Sequence, residues 1–209
     1  MDFALTEQQQ LIQRAAREFA EKELAAGAIE RDRTEEFPMD ILKKLGDAGL
    51  IGLQFPKEFG GKGIDYLSFI LVVEELCKVD SAFGIAYAIS STFTTGIELF
   101  GSKEQKQHCM PRLFAGDAIG CFALTEPDAG SDAGAAKAAA VREGDHYIIN
   151  GTKHFITNGA VADYCMLIAN TDPSKGAKGL SAFLVDLKTT PGVRVGHIEN
   201  KCGIRSAKV

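Results

Sequence analysis

The sequence predicts an α+β protein: an amino-terminal all-helical domain over residues 1–118 followed by an antiparallel β domain over residues 119–209. Three observations lead there. Before Phe114 the apolar residues recur at helical spacing behind recognisable cap residues. From Ile119 onward they fall instead in short runs rich in aromatic and β-branched side chains, separated by Gly, Pro, Asn and Asp. No GxGxxG pattern occurs and strand-like runs do not alternate with helices, so a doubly wound nucleotide fold is not supported.

Thr6 followed by Gln9 has the spacing of a capping box, and Leu11, Ile12, Ala15, Ala16 and Phe19 then share one helical face. Pro38 stands at a first helical position, with Ile41, Leu42 and Leu45 behind it and Gly46 and Gly49 near the end. Gly60-Gly61-Lys62-Gly63 lacks the spacing and final hydroxyl of a P-loop and reads as a turn. Asp65 can cap a helix carrying Phe69, Val72, Val73 and Leu76. Ser81 to Ile97 is free of charge, too short and too polar for a membrane span, and predicts a buried helix whose apolar residues serve either as core or as a ligand wall. Ser102 and Gln105 open another helix, which Pro111 should kink or shorten. Within it His108 and Cys109 are adjacent rather than one turn apart, so they read as surface residues and not as a metal site.

In the second half, strands are expected over residues 147–150, 152–157, 164–169, 180–187 and 193–197. Asn150-Gly151 predicts a two-residue hairpin turn without chemical function. Residues 133–140 are in conflict: alanine favours helix, whereas the position between a loop and a hairpin calls for strand.

Composition bounds the function. The 209 residues are 45% hydrophobic and 24% charged, as in ordinary globular proteins. A net charge of -5 gives no reason to expect nucleic acid or an anionic membrane as partner. Five widely spaced cysteines, Cys77, Cys109, Cys121, Cys165 and Cys202, read as free thiols in a reducing cytoplasm, and no zinc or redox pair is suggested. The beginning Met1-Asp2-Phe3 carries no visible secretory or Arg-rich transit pattern, so a cytoplasmic location is expected.

The most informative stretch runs from Gly120 to Asp132. Pro127 fixes one backbone angle, Gly130 permits close approach, and Thr125 and Ser131 add hydroxyls to a run of free N–H donors that could hold a phosphate or a ring carbonyl. On spacing alone it is equally a solvated turn, and Glu126 and Asp128 within it read as solvated or turn-forming, not as catalytic bases.

Leu124-Thr125-Glu126-Pro127-Asp128-Ala129-Gly130-Ser131-Asp132, followed by Asn150-Gly151-Thr152-Lys153-His154-Phe155-Ile156-Thr157-Asn158-Gly159, resembles the paired flavin-binding signature of the acyl-CoA dehydrogenase family. Leu5-Thr6-Glu7-Gln8-Gln9, Phe59-Gly60-Gly61-Lys62-Gly63 and Gly203-Ile204-Arg205-Ser206 are also similar to that family, so the resemblance spans nearly the whole chain. It implies an FAD-dependent oxidation of an acyl-CoA thioester to the trans-2-enoyl-CoA, with electron-transferring flavoprotein as the electron acceptor. It also implies that the β domain is an incomplete barrel or sandwich, and that the full-length protein is a homotetramer.

By the same resemblance Phe122, Leu124, Thr125, Gly130 and Ser131 form a first FAD-binding segment, with Thr125 at the pyrimidine edge. Phe155, Ile156 and Thr157 form a second, in which Phe155 replaces the Trp of many relatives and Thr157 meets the hydride-accepting nitrogen. Ser131 would also touch the pantetheine arm, and Ala88, Ser91 and Thr92 would line the acyl cavity. The family's catalytic glutamate lies in a carboxy-terminal helical domain, so none is expected here and the chain alone should be inactive. Two alternatives stay open: a fragment or interaction module without flavin, and a flavin oxidase or monooxygenase on the same scaffold.

Overall fold

Helix formation follows the cap residues closely in the first half. The computed structural model describes residues 3–209, and in it α1 (Glu7–Phe19) starts at a capping box in which the Thr6 side chain accepts from Gln9 N at 3.3 Å and Gln9 Oε1 accepts from Thr6 N at 2.9 Å. The chain then continues through a π-turn (Ala20–Leu24) and a short 3-10 segment (Ala25–Gly27) into α2 (Ala28–Thr34), which the spacing of apolar residues does not announce. Pro38 is the N-cap of α3 (Met39–Asp47), one position earlier than expected. Asp65 caps α4 (Tyr66–Val79) by accepting from Ser68 N at 2.9 Å, and Asp80 caps α5 (Ser81–Phe100) by accepting from Phe83 N at 3.0 Å.

Helix α6 (Lys103–Phe114) opens at the expected Ser102–Gln105 capping box, but Pro111 does not shorten it. Pro111 lies on the exposed side of the helix, as does Gln107, whose carbonyl loses its N–H partner. Cys109 is a correction: it is fully buried, not on the surface, and burial pushes its thiol up to about 12.

Helix α5 is the centre of the packing. Phe83, Ala86, Tyr87, Phe93 and Ile97 are buried along it, and Phe83 stacks on Phe37 with centroids 5.8 Å apart. One core joins Leu24, Leu45, Leu76 and Phe83 to Ile119, Cys121 and Cys165, and a second joins Phe93, Met110 and Leu113 to Tyr164 and Met166. Helices and sheet therefore share their cores. Gly120 allows the approach, since a Cβ there would sit 2.5 Å from the Phe93 ring.

The sheet comprises β1 (Gly120–Ala123), β2 (Ala139–Glu143), β3 (His146–Asn150), β4 (Tyr164–Asn170) and β5 (Leu180–Asp186). It is mixed and not antiparallel throughout: β4 runs parallel to β1 and, at Ala139↔Asn170, to β2, while β5 and the β2–β3 pair are antiparallel. The segment between β1 and β4 is long enough to return the chain for a parallel pairing. The expected α+β order of elements is retained.

Three local expectations fail. The hairpin turn lies at Gly144-Asp145, with Gly144 at φ +64, while Asn150 is a strand residue paired with Ala139. Gly151 serves instead for close approach, because its Cβ would meet Ala138 Cβ at 2.5 Å. Residues 152–157 form no strand: Phe155 and Asn158 adopt φ +57 and +69, which no ladder accommodates. Residues 193–197 also stay outside the sheet, with Val195 56% exposed, because β propensity acts only where a neighbouring strand gives the side chains something to pack on. The conflict at 133–140 divides, giving a 3-10 turn at Ala133–Ala135 and strand from Ala139.

Candidate flavin site

Beyond β1 the chain turns tightly around Pro127 and Asp128, where Glu126 N donates to Ala129 O at 3.0 Å and Ala129 N to Glu126 O at 3.2 Å. Asp128 is exposed beside Lys137, as expected for a turn residue. Glu126 is not. It is only 7% exposed, and its carboxylate accepts from Lys137 N at 2.7 Å, Ala138 N at 2.9 Å and Lys153 Nζ at 2.8 Å. Burial pushes this carboxyl up, but the Lys153 ammonium and the two backbone donors outweigh it and hold the pKa below the ordinary value.

These contacts bring the two motif segments together. Lys153 Nζ also donates to Leu124 O at 2.9 Å, and His154 N donates to Thr125 O at 2.9 Å. Asn158 then anchors the second segment to both halves of the fold. Its fully buried Nδ2 donates to Ala86 O at 2.9 Å on α5 and to Gly120 O at 3.1 Å on β1, while its N donates to Lys208 O at 2.8 Å.

Around this frame, Phe122, Leu124, Thr125, Ile156 and Thr157 are half-buried, whereas Gly130 and Ser131 are exposed past the Pro127 turn. Phe155 is 60% exposed and stacks on His154 with centroids 3.9 Å apart and planes at 16°. His154 Nε2 is 2.9 Å from Glu199 Oε1, so one face of the Phe155 ring is backed by a held imidazole and the other is open. Among the described residues the Thr125 and Thr157 hydroxyls make no hydrogen bond. A ring with an apolar face and a polar edge would satisfy both features, so the residues present fit an isoalloxazine.

The other predicted residues lie apart on α5. Ala88 packs into the first core, and Thr92 is exposed with its hydroxyl donating to Ala88 O at 3.3 Å. Ser91 accepts from Gln54 Nε2 at 2.7 Å and lines a cavity of about 20 Å³ with Tyr87, Thr94 and Phe114. A more open cleft of about 480 Å³ lies beside it, between Gln54, Ile64, Tyr66, Thr95 and Glu98. Ser90 joins the two regions by accepting from Gly120 N at 3.0 Å.

Residues 6–117 match the sequence family described as acyl-CoA dehydrogenase, N-terminal domain, and residues 121–209 match its middle domain. The chain belongs to the acyl-CoA dehydrogenase family. A short-chain-specific acyl-CoA dehydrogenase of Clostridium acetobutylicum is 48% identical over 208 residues, which is 99% of this chain and 55% of that protein. The solved butyryl-CoA dehydrogenase of Megasphaera elsdenii superposes with a TM-score of 0.94 at 38% identity, over 100% of this chain and 55% of that one. A solved structure described under the electron transferring flavoprotein of Acidaminococcus fermentans gives 0.96 at 47% identity, with the same coverage. The chain thus spans about half the length of the relatives it matches.

Sequence reasoning missed Glu126, Lys153 and Asn158 as structural parts of the site. An acidic residue in a Pro/Gly loop gives no local sign of burial, since its partners are 11 to 27 residues away. For Asn158 a signal existed, because Asn before Gly tolerates the left-handed backbone it adopts here.

Proposed function

We propose that this chain carries the FAD-binding surface, and one wall of the acyl-CoA site, of an FAD-dependent acyl-CoA dehydrogenase. One observation carries the reading. The Lys153 and His154 bonds to residues 124–126 set two distant motifs side by side and leave the Thr125 and Thr157 hydroxyls free for a ligand. FAD supplies the hydride acceptor for oxidation of an acyl-CoA thioester to its trans-2-enoyl product.

This chain's residues then bind and orient. Phe122, Leu124 and Ile156 provide apolar contact, Phe155 a platform, Thr125 and Thr157 hydrogen bonds at the ring's polar edge, and Gly130 and Ser131 a backbone approach at the exposed loop. Ser131 would also meet the substrate's pantetheine arm, and Ala88, Ser91 and Thr92 would lie along the acyl chain. Neither acidic residue of the loop removes the α-proton: Glu126 is saturated by Lys153 and two N–H groups, and Asp128 is turned to solvent. That proton goes to a carboxylate outside this site. Residues 1–118 and 119–209 form its two domains. Electron-transferring flavoprotein as acceptor, a homotetramer at full length and a cytoplasmic location complete the proposal. In support, no described helix is long and apolar enough to cross a membrane.

The test is a titration of the purified chain with FAD. Flavin absorbance that stays with the protein through gel filtration supports the reading, and free flavin in the small-molecule fraction ends it. Acyl-CoA added without oxygen to the full-length, flavin-loaded protein should then bleach that absorbance.

A further inference from the structure

Lys153 and Glu126 bring their charges together at 2.8 Å with side chains only 9% and 6% exposed. A buried pair of this kind adds little net stability, because desolvating both charges offsets their attraction, and apolar residues of similar size often stabilise as well. Geometry is what it supplies. Residues 124–126, 137–138 and 153–154 all converge on it, and each contributes a bond that fixes direction: Lys137 N and Ala138 N to the carboxylate, Lys153 Nζ to the carboxylate and to Leu124 O. Thr125 is thereby held between two anchored neighbours with its own carbonyl on His154 N. Phe155 and Thr157 come two and four residues after Lys153 along the chain.

We infer that Glu126 and Lys153 are positioning residues, a buried clamp that holds Thr125 and the Phe155–Thr157 segment at the separation an isoalloxazine ring needs. The inference rests on the cofactor reading above. A site that must meet a rigid ring with two hydroxyls and one aromatic face loses affinity when its supports shift, even while the fold survives. Neither residue is proposed to touch the ring.

The experiment compares the chain with its Glu126→Gln, Lys153→Met and Glu126→Gln/Lys153→Met variants, by melting temperature, by FAD titration and by amide hydrogen exchange at His154. The double variant leaves no unpaired buried charge but orphans one backbone N–H and removes the bond to Leu124 O, so it should stay folded with a lowered melting temperature and bind FAD about tenfold or more weakly. His154 N should exchange faster in it. A folded double variant whose FAD affinity stays within about twofold of the unaltered chain overturns the inference. If the double variant fails to fold, Glu126→Gln, which keeps one acceptor oxygen, is judged by the same limits. If the unaltered chain takes up no FAD, the cofactor reading falls separately. The joining of the two segments is then judged by His154 exchange alone, faster in the variants upholding it and unchanged overturning it, while its role toward a flavin ring falls with the cofactor reading.

Discussion

Both halves of the molecule bury carboxylates, and Glu75 in one and Glu126 in the other are met differently. In the helical half Glu75 accepts from Arg17 Nε at 3.0 Å, Arg17 Nη2 at 2.9 Å and Lys78 Nζ at 3.0 Å, all side-chain donors. In the sheet half Glu126 accepts from two backbone N–H groups and one lysine. Helices satisfy their own main chain except at their ends, where Asp80 caps α5, so Glu75 within α4 has only to join one helix to another. The loops of the sheet half have no ladder, and Glu126 takes the place of a missing strand for residues 137–138. Side chains in the first half complete the backbone only at helix ends, as Thr6, Asp65, Asp80 and Ser102 do, whereas in the second Glu126 does so between segments that no ladder joins.

The largest effect that sharpens this contrast comes from the core both halves share. Phe83→Ala should cost about 3–5 kcal/mol in urea unfolding, in a single transition seen by helical and sheet probes alike. Two separated transitions would show the halves to be independent. Next, Asn158→Ala removes bonds to Ala86 O and Gly120 O and leaves a left-handed backbone without the residue that tolerates it, for a loss of about 2–3 kcal/mol. A loss below that of an exposed-loop substitution would deny the sheet half its polar anchoring.

Charge gives a smaller, pH-dependent test. Hydrogen bonding from Arg17 lowers the Glu75 pKa to about 2, so the folded state holds the ionised form more tightly than the unfolded chain does. The stability it contributes is present above the ordinary glutamate pKa of about 4.5 and is lost as pH falls from there toward about 2. With Arg17 half-exposed, screening reduces this to about 1–2 kcal/mol. Urea midpoints measured across that window should slope for the unaltered chain and flatten for Glu75→Gln. Smallest in stability are Thr125→Ala and Thr157→Ala, each within about 0.5 kcal/mol because no internal bond is lost. Each should nevertheless weaken FAD about five- to tenfold, read by the same titration.

Local chemistry made most of the helical half legible. Thr6, Asp65 and Ser102 cap where their side chains predict, because a cap is decided within four residues. The segment after α1 was not legible, since its π-turn and short α2 have no regular apolar period. In the second half strands β3, β4 and β5 were readable from composition, but the partners of β4 were not, because pairing is chosen by segments dozens of residues away. The same distance hid the clamp. Phe155 was singled out as aromatic, yet its left-handed backbone and its stack on His154 could not be read from neighbours that suggest a strand.

Ser90 and Ala86 of α5 reach across to Gly120 and Asn158, on the same helix that carries Ala88, Ser91 and Thr92. If those three residues set which acyl chains are accepted, then re-engineering them displaces a rod that also supports the strand leading into the Pro127 loop, proposed above to meet the flavin. Selectivity and cofactor retention would drift together, and a variant chosen for a new chain length should be checked for its colour before its kinetics.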